Sequence, residues 1–386
     1  MFVAVHEMRR LLGRFVLLTG AIALLVILLL FFQSVASALI TGLTGGVEAN
    51  SATVFVYSDK ARHNPAASFL TPEAVDAVAA VDGVGTASGV ARGQFTDEAA
   101  DADVTVIGLQ DLAFGGPAEI AAGRQPTGSG EALASNPTLS AGDASYEVGD
   151  TVTIEGTELQ IVGTAVDAAF DVSPTLYVTF DDLQAMKTED AGTAVPALLS
   201  WVAVAAADGV DPTELADRIT VEASYAPAAT PGGDTSVAAA GLEALDRSTA
   251  AADLPGAGQI SQSFNILYLL LFVVVTIVTG VFFLILTVQK QDSLVLFRAL
   301  GASRMDAVRP VLIEVVAVVG VGSVLGALMA AGLLYLARDA FGSTLSPVTT
   351  VVSVLFILVL GVVASLGAVR RVLAIDPVEA ARQAGA

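Results

Sequence analysis

FVLLTGAIALLVILLLFF, residues 15–32, runs for eighteen positions without a charge and fades only through Gln33–Thr41. A hydrocarbon core is crossed by about 20 helical residues, so this stretch decides the class of the chain. Three more apolar runs follow at Phe264–Val288, Val311–Leu336 (broken only by Glu314) and about Val348–Val369. In lipid each must be helical, because a helix satisfies its own backbone polar groups. The spans are placed at 15–43, 263–289, 310–337 and 348–369. An arginine-rich start followed by Ala36-Ser37-Ala38 also fits a cleavable signal. Signal cores run to roughly 7–15 residues, however, and this one is longer, so the first span is read as retained.

Charge supplies the orientation. Of 39 acidic residues, 32 lie between Glu48 and Asp253 against seven Lys/Arg, which leaves that stretch at −25 in a chain of net charge −21. Arginines 9, 10 and 14 precede the first span; Lys290, Arg298, Arg304 and Arg309 lie between the second and third; Arg370, Arg371 and Arg382 follow the fourth. Basic flanks stay cytoplasmic. Both termini and the 290–309 segment are therefore inside, and the acidic insertion is outside. The expected fold is a membrane protein of four transmembrane α-helices with a large α+β extracytoplasmic domain (44–262) inserted between helices 1 and 2. A cytoplasmic amphipathic segment (1–14), a short external loop (338–347) and a cytoplasmic tail (370–386) complete it.

Within the insertion, β-rich runs recur at Ala52–Tyr57, Val104–Leu109, Thr151–Ile154, Leu159–Val166, Thr175–Phe180 and Trp201–Ala205. Thr71-Pro72-Glu73 and Asp211-Pro212-Thr213-Glu214 are helix starts before Ala74–Val81 and Leu215–Ile219; each has a capping residue, an early proline and an acid for the helix dipole. Small sheets are expected, with 112–150 and 223–260 as loops.

Several chemistries are excluded or disfavoured. Zero cysteines rule out disulfides and thiolate sites, and the acidity argues against nucleic acid. No phosphate-binding loop is present, so nucleotide hydrolysis is not expected of this chain, which is read as no enzyme. His6 and His63 stand apart from any metal-ligand spacing, and no metal is expected. The acid pairs Asp97-Glu98, Asp181-Asp182 and Glu189-Asp190 read as solvated surface.

Other positions suggest roles. Between spans two and three, Leu294, Phe297 and Leu300 fall at helical spacing ahead of Gly301, which can end such a helix. This short helix suits either docking on a partner protein or lying on the membrane lipid surface. Gly322, Gly326 and Ala330 make a small-residue stripe for helix packing. Glu314 is expected to be paired, with Arg298, Arg304 or Arg309 as partners. Gln33, Ser34, Ser37, Asn265 and Tyr268, near the outer ends of the first two spans, either line a cavity or are ordinary interfacial polar residues. Asp376, Pro377 and Glu379 form a capping-box-like start in the tail.

VQKQDSLVLFRALGASRMDAVRPVLIEVVAVVGVGSVLGALMAAG (288–332) and LAIDPVEAAR (373–382) strongly resemble the FtsX/MacB-type family of ABC transporter permeases. The order of one span, a large external domain and three spans is that family's architecture too. The segments LTVQKQDSLVLFRALGAS (286–303) and MFVAVHEMRRLLGRF (1–15) look most like the branch holding heme-exporter permeases and DevC-like exporters. The resemblance implies a bacterial plasma-membrane homodimer bound to separate ATP-binding cassette ATPase subunits. It places Leu294, Phe297, Arg298, Leu300 and Gly301 at the ATPase contact. It implies export of a hydrophobic or amphipathic substrate, heme being the leading candidate, with no catalytic cofactor, and Gln33, Ser37 and Tyr268 then face that substrate. The alternative from the same architecture is a non-transporting transducer that activates an external cell-wall hydrolase.

Overall fold

The computed structural model describes residues 12–97, 99–137, 144–189, 198–225, 240–289, 304–336, 350–360 and 363. It divides into two compact units, one of Met1–Ala36 with Gln262–Ala386 and the other of Ser37–Ser261.

Helix α1 spans Leu12–Glu48, continuing past the expected end of the first span at residue 43 and contributing residues to both units. Its 37 residues measure about 55 Å at 1.5 Å per residue, against a hydrocarbon core of about 30 Å. In the helical unit α1 is joined by residues of α6 (Ala257–Gln289), by α7 (Arg304–Leu336) and by α8 (Thr350–Leu360). Among the described residues, three helices are long and apolar enough to cross a membrane, and α8 is a shorter apolar helix. The rest of the expected fourth span lies outside the described residues. Ile22, Val26, Leu30, Val275, Val315 and Val319 form the interior of this unit. Leu17, Leu24, Leu269, Ile277 and Leu328 point outward and stay exposed. A soluble helix pair would bury such residues, whereas lipid covers them at no cost.

The second unit is built on one eleven-stranded sheet, where small sheets were expected. Its strands are β1 (Val54–Ser58), β2 (Val84–Asp97), β3 (Ala102–Leu109), β4 (Ile120–Gly123), β5 (Glu131–Ser135), β6 (Thr151–Ile154), β7 (Thr157–Ala165), β8 (Thr175–Thr179), β9 (Trp201–Ala206), β10 (Ser224–Tyr225) and β11 (Ala240–Asp246). The order is β10-β11-β1-β9-β2-β3-β8-β5-β7-β4, with β6 paired to β7. The β3–β8 and β5–β7 pairs are parallel and the others antiparallel. Strands β2, β4, β5 and β11 arise from stretches whose Ala, Gly and polar residues carry little β signal, and β4, β5 and β11 fall where loops were expected.

Burial on both faces explains the near-continuous apolar runs VFVYS, VTVIGL and WVAVAA. In β1, Val54 and Val56 face one cluster and Phe55 and Tyr57 the other; in β9, Val202 and Val204 oppose Trp201 and Ala203 in the same way. The first face is covered by α2 (Glu73–Ala79) and α4 (Pro212–Glu222), through Ala74, Val78, Leu215 and Ile219. The α4 cap is as expected: Asp211 accepts from the N–H groups of Thr213 and Glu214, ahead of Pro212 in the first turn. A third cluster joins β3 and β8 to Leu183 and Met186 of α3 (Phe180–Glu189), a helix the sequence pattern does not announce.

Two of the acids expected at the surface are instead buried acceptors. Asp97 accepts a hydrogen bond from the Tyr146 hydroxyl at 2.8 Å; burial drives the tyrosine pKa upward, and this bond adds to the rise. Asp182 accepts from Ser129 Oγ, from Gly130 N–H at 3.1 Å and from Thr179 Oγ1 at 2.7 Å. Both satisfy the requirement that a buried carboxylate keep its partners.

Candidate functional site

In the helical unit the small-residue stripe of α7 packs directly against α1. A Cβ built on Gly322 would lie 3.0 Å from Ile22 Cβ and 3.1 Å from Thr19 O; one on Gly326 would lie 2.6 Å from Ala23 O and 2.7 Å from Val26 Cβ. Ala330, one turn further on, is buried as well. Steps of four on α7 match steps of four on α1 in the same direction, so the two helices run parallel with glycines receiving the ridges of α1.

A polar layer ties three helices together at the level of Phe32 and Gln33. Tyr268 Oη donates to Phe32 O at 3.3 Å, and Ser353 Oγ donates to Gln33 Oε1 at 3.0 Å. Phe272 and Phe356 stack edge-on beside them, with ring centroids 4.7 Å apart. In this arrangement Gln33 and Tyr268 join neighbouring helices. Ser37, the third position expected to face a substrate, is exposed and falls in the other unit. Glu314 is buried in α7; of its expected partners, Arg298 and the side chains of Arg304 and Arg309 fall outside the described residues. The same holds for Leu294, Phe297, Leu300 and Gly301, and for the tail with Asp376, Pro377 and Glu379.

The β-rich unit carries the site that sequence reasoning missed. A groove of about 710 Å³ is walled by Ile40 and Thr44 near the end of α1, by Ala251 of α5 (Arg247–Ala252), and by Ala257 and Gly258 at the start of α6. Its lining is chiefly apolar. Charge is confined to Glu48, Asp246 and Arg247. Each is anchored: Glu48 accepts from Thr44 Oγ1 at 3.0 Å, and Arg247 Nε donates to Ala52 O at 2.9 Å. Asp246 caps α5; burial pushes its carboxyl pKa up, but hydrogen bonds from Ser248 and Thr249 outweigh that and hold it below the ordinary range. A Cβ at Gly258 would meet nothing within 4 Å, so the groove is open at that position. Volumes of about 300–1,000 Å³ with an apolar lining and a few placed polar groups suit small amphipathic molecules. The alanines, glycine and threonines that shape it come from chain segments some 200 residues apart and have no spacing to recognise. Among the described residues no three His, Asp or Glu side chains are arranged to hold a metal ion.

The MacB-like periplasmic core domain family matches residues 16–221, and the FtsX-like permease C-terminal family matches residues 265–377. No curated protein matches the chain. Among solved structures, the extracellular domain of the noncanonic ABC-type transporter YknZ from Gram-positive bacteria is 21% identical, with a TM-score of 0.31 over 44% of this chain and 90% of that one. The periplasmic region of MacB from Actinobacillus actinomycetemcomitans is 12% identical, with a TM-score of 0.32 over 52% of this chain and 92% of that one. Neither family description points to the heme-exporter or DevC-like branch. With the first family covering more than half of its residues and the second most of the remainder, the chain belongs to the FtsX/MacB-like permeases, membrane components of ABC systems that work with an ATPase partner and are not themselves catalytic.

Proposed function

We propose that this chain is the transmembrane subunit of an ABC exporter, acting as a homodimer in a bacterial plasma membrane and moving a hydrophobic or amphipathic compound outward. A separate ATPase supplies the energy through the 290–309 segment, where Leu294, Phe297, Arg298, Leu300 and Gly301 make the contact. Both termini lie in the cytoplasm, and the β-rich domain lies outside. The observation that carries the substrate class is the groove, a chiefly apolar trough whose lining includes three charged residues, Glu48, Asp246 and Arg247. Heme is one compound of that class; Gln33 and Tyr268, bonded to neighbouring helices, do not single it out.

The test is Gly258→Phe in the full chain reconstituted with its ATPase in liposomes. The added Cβ meets nothing within 4 Å, the ring is directed at the groove that Gly258 lines, and leaving glycine raises helix propensity. ATP-dependent movement of a fluorescent amphiphile is expected to fall several-fold while ATP hydrolysis persists. Undiminished movement would remove the groove from the route. ATP hydrolysis without movement of any amphiphile or heme, together with capture of a cell-wall hydrolase by the β-rich domain, would replace the exporter by the transducer.

A further inference from the structure

The β-rich domain holds a single histidine, His63, and it is clasped on both sides. Its Nε2 lies 2.9 Å from Glu243 Oε1 of β11, and its Nδ1 lies 3.0 Å from Asp253 Oδ2, the residue that closes α5. Both Arg62 and His63 take left-handed backbone angles, with φ of 51° and 61°, a conformation uncommon for residues with a side chain. The loop therefore holds a strained local form while the ring spans the two acids. Asp253 opens the turn Asp253-Leu254-Pro255-Gly256, in which Leu254 is buried and Gly256 sits at φ 92°, and α6 starts at the next residue.

The chemistry of imidazole sets a condition on this arrangement. A neutral ring has one N–H and one lone pair, so it can donate to only one carboxylate, and its bare nitrogen would face the oxygens of the other. Protonated, it donates to both, and each bond is charge-assisted. The charged groups facing the ring among the described residues are Glu243 from β11 and Asp253 from the turn; Asp59, Lys60 and Arg62 of its own loop are exposed and none is bonded to it.

We propose that His63 is a proton-operated latch: protonated, it pins the 253–256 turn to β11, and deprotonated, it releases one of the two carboxylates and frees the turn that leads into α6. The direction of its pKa agrees. The hydrogen bond to Glu243 is the largest influence and raises it above 6.5; burial works the other way, and the charges of Glu243 and Asp253 add to the rise. A raised folded-state pKa means the stabilisation is complete below 6.5 and is lost as pH climbs through the higher folded value. The latch is thus closed below pH 6.5 and opens as pH rises through the higher folded value.

The chain has two histidines, so His6→Gln leaves one resonance to follow. In the full-length protein in nanodiscs, ¹³C-histidine NMR is expected to show His63 titrating above 6.5, and Glu243→Gln or Asp253→Asn each to lower the midpoint. One unit of difference in the midpoint corresponds to about a tenfold change in the ratio of closed to open forms at a given pH. Hydrogen exchange at residues 254–258 is expected to speed up from pH 6 to pH 8.5 in this chain and to be fast throughout in His63→Gln, once corrected for intrinsic rates. A midpoint at or below 6.5, or one that neither carboxylate substitution moves, overturns the latch. So does corrected exchange of the turn that stays flat across that range. Trp201 fluorescence, from the sole tryptophan, shows whether each variant keeps its folded sheet. A variant that loses it is replaced by Glu243→Asp, which keeps the charge, moves the carboxylate, and should lower the midpoint less than Glu243→Gln.

Discussion

The core of the β-rich domain is built on large side chains: Trp201 is 1% exposed and stands against Phe170, with ring centroids 5.8 Å apart. In the helical unit α1 and α7 meet closely where no side chain exists, at Gly322 and Gly326. The solvent explains the contrast. Water rewards each buried apolar side chain by about 1.5–3 kcal/mol, so a water-facing domain gathers large residues inside. Lipid offers no such reward, because its tails are as apolar as leucine. Helices there gain by backbone proximity and by hydrogen bonds such as Tyr268 to Phe32 and Ser353 to Gln33.

Substitutions can break or sharpen that comparison. The largest effect is expected at Ile107, fully buried in β3. Ile107→Ala should cost about 2–5 kcal/mol, read as a lower urea midpoint by Trp201 fluorescence, a signal confined to the domain. If the two regions packed by one rule, truncation of an equally buried Ile22 would cost the same. Gly326→Ala inverts the logic, since adding one methyl against Ala23 O should destabilise by about 1–3 kcal/mol through overpacking. A helical circular-dichroism melt in nanodiscs would show it, and an unchanged melt would deny the close contact. Tyr268→Phe should lose about 0.6 kcal/mol, the usual worth of a hydrogen bond between membrane helices, seen in the same melt.

The smallest effect concerns acid. The Arg124 hydrogen bond, aided by the Thr127 N–H, holds Glu131 at about 2, well below 4.5. Its contribution is complete above pH 4.5 and disappears as pH falls through about 2. Glu131→Gln should therefore narrow the gap between unfolding midpoints at pH 5 and pH 2, by a small margin because Arg124 is half exposed.

Sequence disclosed these regions unequally. The spans α1, α6 and α7 were legible because freedom from charge over about 20 residues has few other causes. Strands β1, β3, β8 and β9 were legible because their two-sided burial concentrates Val, Ile, Leu and Tyr. Strand β2, VGTASGVARGQFTD, was not: it gains its place from neighbours β9 and β3, paired through Val84–Val90 and Val90–Asp97. Strand β11, AGLEALD, owes its state to β1 in the same way. The stripe at Gly322 and Gly326 showed its spacing but not its partner. The groove and the His63 clasp showed nothing in advance, because their residues meet only after the sheet has brought distant segments together.

One consequence follows from the pairing of β1 with β11. Val54 lies opposite Asp246, and Arg247 N–H bonds to Thr53 O at 3.0 Å, so the chain enters and leaves the sheet through adjacent strands. For the helices on either side, a domain of some 200 residues thus occupies the same footing as a hairpin turn. Its interior can be lengthened, trimmed or exchanged in evolution without altering the spacing its two ends present, which makes the domain a cartridge and the first strand pair its fitting.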